Sequence, residues 1–433
     1  MMHPVFPAVD LPHLASVSIP DFVRVRLRQP RVAPLYDVSN AVTQSLSASK
    51  LFTLPKGAEI AIAVGSRGIA DIDTVTRAAV GWLKAQGYEP FIVPAMGSHG
   101  GGTAEGQRAV LAKLGITEVT MGCAIRATME TVEYGALPDG TVCHFDAQAG
   151  GADGVLVINR IKAHTSFPRP IESGLTKMLA VGLGKRGGAG QVHRIGPRGF
   201  VETLPALAQR IIARAPITAG LALVENAHKQ LSHIEAIGPQ DFAEADERLL
   251  KSAKSAMARL PFDQLDGLLI ERLGKEISGA GIDPAVSGRT DIRGVENPAR
   301  PFIHKVAVLA LTDATDGNGI GVGMADYVPR AMANALDLQS MYMNAVTATI
   351  LEKARIPIVL PDEISVVRAM VATCWNVTAP RLCQIISSAH LDEIAVTENL
   401  LPELLAQGVV IDHDDPAPLV FNDTGTLMTR LEP

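Results

Sequence analysis

The feature that most constrains the fold of this chain is a repeated order of strand, glycine-containing loop and helix. The apolar run Glu59–Val64 ends at the loop Gly65-Ser66-Arg67-Gly68, and a stretch with helical spacing follows over residues 73–86. The run Pro90–Val93 repeats the pattern and leads into the loop Gly97-Ser98-His99-Gly100. Such alternation predicts a parallel sheet with helices on its faces.

A domain boundary is predicted near residue 260. The polar-rich stretch 241–260 has helical spacing and suits a connector between domains. Beyond it, the runs 267–270 and 305–311 again have the composition of buried strands, each followed by a glycine-containing polar loop. We therefore predict an α/β protein of two domains, residues 1–260 and 261–433, with largely parallel sheets and a cleft between the domains.

Composition excludes several classes of function. Hydrophobic residues make up 47% and charged residues 19% of the 433 residues, a balance that supports large buried cores. The 39 basic and 45 acidic residues give a net charge of −6, which argues against a nucleic-acid partner. Apolar runs stop well short of the roughly 18–20 residues that a membrane helix needs. The first ten residues lack signal-peptide features and the four cysteines lack CxxC spacing, so we expect a soluble, cytoplasmic protein.

The candidate site residues follow predicted strands. Arg67, His99 and His164 do so in the first domain, and Lys275 and Asp313 do so in the second. In open parallel α/β sheets, ligands bind beyond the carboxyl ends of the strands. These side chains are therefore expected to line the cleft between the two domains.

The segment 162–198 is rich in glycine and basic residues and predicts an anionic ligand. It includes Lys177 and Lys185, with six glycines between Gly182 and Gly196. The spacing Gly182-x-Gly184-x-x-Gly187 matches a dinucleotide fingerprint, but it follows a helical pattern instead of a strand, which argues against NAD.

The order of these motifs resembles the lactate racemase family, over the first half of the chain above all. The resemblance implies a nickel-pincer nucleotide attached covalently to Lys177, with His193 as nickel ligand. It further implies that His99 and His164 are the two catalytic histidines. Arg67 corresponds to the arginine that holds the substrate carboxylate.

The resemblance also implies a wider cofactor-binding set of Ser66, Gly184 and Lys275. Val64 stands where the best-known members of the family have an acidic residue, and the segment after His164 is longer than usual. The substrate is therefore expected to be a hydroxy acid that need not be lactate, such as a sugar acid. The expected partners are this small molecule and the enzymes that make the cofactor, with a homo-oligomer as a further option.

The implied chemistry suits these residue types. Inverting an α-hydroxy acid requires removal of the weakly acidic hydrogen on carbon 2, and transfer as hydride avoids a dianion. One histidine takes the hydroxyl proton and the other serves the mirror-image substrate, a task that suits imidazole near neutral pH. An arginine fork fixes the carboxylate through two hydrogen bonds.

Two alternatives remain open from the sequence. The first is a zinc-dependent hydrolase or lyase in which His99, His164 and His193 bind the metal. The second is a non-catalytic protein that binds or carries an anionic nucleotide. Nickel with a covalent mass increment on Lys177 distinguishes the racemase from the zinc enzyme, and turnover of a hydroxy acid excludes the carrier.

Overall fold

The computed structural model describes residues 3–66, 68–163, 169–195, 199–375 and 378–432, without the side chains of His193, Arg194 and Phe200. In chain order the strands are β1 (Phe22–Leu27), β2 (Glu59–Val64), β3 (Glu89–Pro94), β4 (Thr131–Ala136), β5 (Val142–Asp146), β6 (Gly154–Arg160), β7 (Ile217–Glu225), β8 (Leu231–Ile237), β9 (Gln264–Leu273), β10 (Phe302–Leu311), β11 (Tyr327–Pro329), β12 (Ile358–Leu360), β13 (Leu382–Ser387), β14 (His390–Thr397) and β15 (Val410–His413).

The α-helices are α1 (Val38–Ser49), α2 (Ile72–Ala85), α3 (Ala104–Lys113), α4 (Glu118–Met121), α5 (Ala147–Gly150), α6 (Leu175–Lys177), α7 (Lys185–Ile195), α8 (Leu204–Ile212), α9 (Phe242–Ala256), α10 (Pro284–Ser287), α11 (Arg330–Asn334), α12 (Leu338–Ala348), α13 (Glu363–Ala372) and α14 (Leu401–Ala406). Two π-helical turns span Met178–Gly182 and Gly199–Thr203. Short 3-10 turns span Pro12–Ser16, Gly100–Gly102, Pro239–Asp241, Asp313–Thr315, Val322–Met324, Leu351–Ala354 and Glu398–Leu400.

The described chain divides into two compact units. The central unit comprises residues 30–163 and 169–257, and the terminal unit comprises residues 3–29 and 258–432. The boundary after residue 257 lies close to the predicted position 260. Residues 3–29, however, cluster with the C-terminal part, whereas the sequence assigns them to the N-terminal domain.

The central unit is built on a five-stranded sheet in the order β3-β2-β6-β7-β8. The first four strands are parallel, and β8 runs antiparallel to β7. β2 is the strand predicted at Glu59–Val64, and its alternate side chains Ile60, Ile62 and Val64 are fully buried in one core cluster with Val75 of α2. This burial explains the continuous apolar run, because helices cover both faces of a parallel sheet.

The terminal unit is built on an eight-stranded mixed sheet in the order β12-β11-β10-β9-β13-β14-β1-β15. Pairing is parallel from β12 to β13 and antiparallel from β13 to β15. In β9, Leu268 and Ile270 belong to one buried cluster and Leu269 to another, so that both faces of the sheet are covered. The predicted α/β class with largely parallel sheets is thereby confirmed. None of the described helices is long and apolar enough to cross a membrane.

Candidate functional site

Two of the predicted site residues meet at the carboxyl edge of the five-stranded sheet. Ser66 follows β2, and His99 follows β3, the neighbouring parallel strand. Because parallel strands end at the same edge, their loops emerge side by side. Ser66 Oγ lies 2.5 Å from His99 Nδ1, a hydrogen bond in which the tautomer of the ring decides the donor. The contact orients the His99 ring through Nδ1.

Glycine permits the backbone of the His99 turn. Gly100 has a φ of +66°, and a Cβ there would lie 2.6 Å from the backbone nitrogen of Gln107 at the start of α3. Glycine therefore satisfies both the left-handed conformation and the close approach of two backbones. Thr103 caps α3 by accepting a hydrogen bond from the N–H of Gly106 at 3.1 Å.

The segment that carries Lys177 packs on the same edge. Lys177 is half-buried at the end of α6, and the π-helical turn Met178–Gly182 follows directly. The N–H of Gly97 donates to the carbonyl oxygen of Gly182 at 3.0 Å. A Cβ on Gly65 would lie 3.0 Å from Cε of Met178, so glycine also allows the turn to sit at the end of β2. π-Helical turns within helical segments are frequently found at functional sites.

A buried carboxylate, which sequence analysis missed, holds the start of α6. Asp246 of α9 is fully buried and accepts hydrogen bonds from the N–H groups of Leu175 at 2.9 Å and Thr176 at 2.8 Å. Burial raises the pKa of Asp246 to about 6 against the opposing effect of these hydrogen bonds. Asp246 lies in the stretch that the sequence indicated as a polar connector. α9 instead packs in the central unit and braces the segment that leads to Lys177.

Asp246→Asn is expected to flatten the pH dependence of stability between about pH 4 and pH 6. The pKa is about 6 in the folded protein and about 3.9 in the unfolded chain, so the folded state binds the proton more tightly. The free energy of unfolding therefore falls as the pH rises through this window, by up to roughly 3 kcal/mol from this carboxyl. Urea unfolding of both proteins across the window measures the difference. Parallel pH profiles would contradict the assignment.

The end of β6 is hydrogen-bonded to the same segment. Nδ2 of Asn159 donates to the carbonyl oxygen of Gly174 at 2.6 Å. The N–H of Lys162 donates to Oγ of Ser173 at 3.0 Å. The backbone just before Lys177 is therefore attached to the end of β6 and to the residues that directly follow it.

A second carboxylate missed by the sequence connects the ends of two strands with the loop after β2. Glu225, at the end of β7, forms an ion pair with Arg160 at the end of β6, and both side chains are about nine-tenths buried. Glu225 also accepts a hydrogen bond from the N–H of Ala70 at 2.9 Å. It thereby anchors the loop after β2, which contains Ser66.

The glycine-rich stretch is helical, and Gly182, Gly184 and Gly187 pack against protein atoms. A Cβ on Gly182 would lie 2.5 Å from Sδ of Met178 and 2.8 Å from the carbonyl oxygen of Ala95. A Cβ on Gly184 would collide with the carbonyl oxygen of Ala180, and one on Gly187 would lie 3.1 Å from the His144 ring. Close packing thus accounts for glycine at these positions. A cofactor contact of Gly184 stays a prediction.

Three predicted side chains are not described by the structure. Arg67 and His164 lie outside the described residues. His193 belongs to α7, but its side chain is outside the description. Among the described residues, no three histidine, cysteine or acidic side chains cluster in a way that could hold a metal ion. The nickel and zinc assignments of these histidines therefore stay predictions.

The two predicted residues of the second half come together within the terminal unit. Lys275 follows β9 and Asp313 follows β10, and these two strands are adjacent and parallel. The N–H of Lys275 donates to Oγ1 of Thr315 at 3.3 Å. Its exposed ammonium group contacts Oδ1 of Asn344 on α12 at 2.6 Å. Lys275 is thus at the carboxyl edge of its own sheet.

Comparisons with known proteins give structural likenesses only. No protein-family model matches the chain, and no curated protein matches its sequence. A protein of known structure from Thermotoga maritima is 13% identical with a TM-score of 0.48, over 65% of this chain and 72% of that one. The lactate racemase apoprotein from Thermoanaerobacterium thermosaccharolyticum is 14% identical with a TM-score of 0.44, over 84% of this chain and 82% of that one. Likenesses at these scores do not assign a function to this chain.

Proposed function

We propose that this protein is a racemase or epimerase of an α-hydroxy acid that works with a nickel-pincer nucleotide attached covalently to Lys177. The observation that carries the proposal is the meeting of the Ser66–His99 pair and the Lys177 segment at one edge of a parallel sheet. These are residues that the motif resemblance had assigned to one active site. Their convergence is what a shared site requires, since they are far apart along the chain.

The residues at this edge fit the group in their chemistry. Lys177 offers a primary amine at a half-buried position, which suits a covalent attachment. His193 lies two turns along α7 from Lys185, and a neutral imidazole is a suitable nickel ligand. The loops on this edge also contain Gly68 and Gly101, where an added Cβ would meet open space. A ligand can therefore approach the backbone closely at both loops.

The proposed roles of the side chains divide between binding and proton transfer. Arg67 binds the substrate carboxylate through its planar fork. His99 takes the proton of the substrate hydroxyl at Nε2, while Ser66 holds the ring through Nδ1. His164 serves the opposite enantiomer in the same way. The cofactor, when bound, supplies an acceptor for the hydrogen on carbon 2.

The test is turnover by holoprotein purified from a host that makes the cofactor. Each pure enantiomer of lactate and of longer hydroxy acids is incubated with the protein, and the products are separated on a chiral column. Nickel content, intact mass and formation of the opposite enantiomer are expected together. Bound zinc without a mass increment would favour the hydrolase alternative. Bound cofactor without turnover of any hydroxy acid would favour the carrier.

Arg67→Lys is expected to weaken substrate binding while the cofactor stays bound. Lysine keeps the charge but loses the planar fork, a penalty of about 1–3 kcal/mol for a charge-assisted pair. The measurement is KM for the hydroxy acid beside the nickel content of the same sample. Unchanged kinetics would refute the role, and loss of nickel would show that Arg67 contacts the cofactor instead.

A further inference from the structure

The ammonium group of Lys185 lies in the interior of the central unit. Its side chain is 1% exposed and forms an ion pair with the fully buried Asp146, with Nζ and Oδ2 2.8 Å apart. Nζ also donates a hydrogen bond to the carbonyl oxygen of Pro94, at the end of β3, at 2.5 Å. A buried ammonium is costly unless it is paired and its N–H groups are hydrogen-bonded. The third partner of this ammonium group therefore indicates what Lys185 does besides pairing with Asp146.

That partner is Gln107, which connects Lys185 to the His99 turn. Lys185 Nζ donates to Oε1 of Gln107 at 3.3 Å. Nε2 of Gln107 in turn donates to the carbonyl oxygens of Gly97 at 2.8 Å and His99 at 3.3 Å. Gln107 itself is fully buried, although it lies on the polar-looking helix α3.

The charge of Lys185 determines the orientation of the Gln107 amide. An ammonium group has hydrogen-bond donors only, so the side of the amide that faces it must be the oxygen. The amide nitrogen then has to face Gly97 and His99. The reversed amide would set two donors against each other on one side and three oxygens together on the other.

We propose that Lys185, through Gln107, is a positioning residue that holds the backbone of the His99 turn and so presents the His99 ring to Ser66. Its relevance to catalysis rests on the proposed function of His99, whereas the hydrogen-bonded chain itself does not. The competing account is that Lys185 only neutralises Asp146. The two accounts differ in what happens when both charges are removed together.

The experiment compares amide hydrogen exchange in residues 97–102 among purified variants. Lys185→Met is expected to accelerate exchange about tenfold, the factor that corresponds to the loss of one hydrogen bond. The double variant Lys185→Met with Asp146→Asn leaves no unpaired charge, and Oδ1 of asparagine can still accept the hydrogen bond that Asp146 accepts from the N–H of Ala149 in α5. Exchange stays fast in the double variant if Lys185 orients Gln107. A return to the wild-type rate would overturn the proposal.

A second variant tests the same proposal if Lys185→Met does not fold. Gln107→Glu preserves the contact with Lys185, and its ionised carboxylate has no donor for the two carbonyl oxygens, so fast exchange is expected with the Lys185–Asp146 ion pair intact. Lys113→Met, at the exposed end of the same helix, is the control and should exchange like wild type. Wild-type exchange in Gln107→Glu would also overturn the proposal.

A spectroscopic readout follows the ring itself. Nitrogen NMR of labelled histidine, assigned with His99→Gln, should show one dominant His99 tautomer in wild type and Lys113→Met, and a mixture in Gln107→Glu. Neither readout needs bound cofactor. An inactive wild-type protein would therefore contradict only the proposed function. Equal exchange rates and equal spectra in all variants would contradict only the positioning role of Lys185.

Discussion

Replacing Lys177 with alanine is expected to give a folded protein without the covalent mass increment, without nickel and with racemisation reduced to background. The fold should persist because Lys177 is only half-buried, while α6 is held by Asp246 through backbone N–H groups that the substitution leaves in place. Intact mass, elemental analysis and chiral chromatography of the same sample measure the three effects.

Two further variants make the Lys177 result specific. Lys177→Arg keeps the positive charge but cannot form the attachment, so it should resemble the alanine variant. Lys251→Ala removes a lysine whose side chain is 75% exposed on α9 and should behave as wild type. Persistence of the mass increment in Lys177→Ala would exclude this lysine as the attachment point.

His99→Ala and His164→Ala are each expected to slow racemisation by a factor on the order of 10²–10⁴, as removal of a general acid or base does. The overall reaction needs proton removal on one side of carbon 2 and proton return on the other. Each variant should still show a single-turnover absorbance change with one pure enantiomer, since the remaining histidine serves that configuration. Rapid-mixing absorbance spectra with each enantiomer detect this asymmetry.

Ser66→Ala provides a graded comparison for His99. It leaves the imidazole in place but removes the hydroxyl that lies 2.5 Å from Nδ1. The variant should therefore lose less activity than His99→Ala, and only with the enantiomer that His99 serves. His233→Ala, on the edge strand β8 three strands from β2 and paired with Glu235, is the histidine control. Equal loss of both single-turnover responses in His99→Ala and in His164→Ala would favour a shared metal-ligand role.

Local sequence patterns predicted the frame of the candidate site well. The run Glu59–Val64 is β2, and the loops after β2 and β3 contain Ser66 and His99 at one edge. This worked because burial on both faces produces a continuous apolar run, and because loops at the ends of parallel strands converge. Both relations are local or follow from the sheet type, so they are visible in a single sequence.

The supports of the site were not predictable in this way. Asp246, Glu225 and Gln107 look like ordinary polar residues of a helix or a strand end, and each acts through a partner at least eight residues away. Lys185 was interpreted as a ligand for an anion, yet it is buried against Asp146. Periodicity reports which face of an element is buried, but it does not report which distant polar group satisfies a buried one.

Sequence alone determined the α/β class, the strand-to-loop junctions of the central unit and the motif order that suggests the chemistry. Only the tertiary structure decided that β1 pairs with β14 and β15 in the terminal unit, that α9 braces α6, and that the glycine-rich stretch is a packed helix. The physical reason is that strand pairing and burial of charge depend on contacts between segments far apart in the chain. Local propensity does not carry that information.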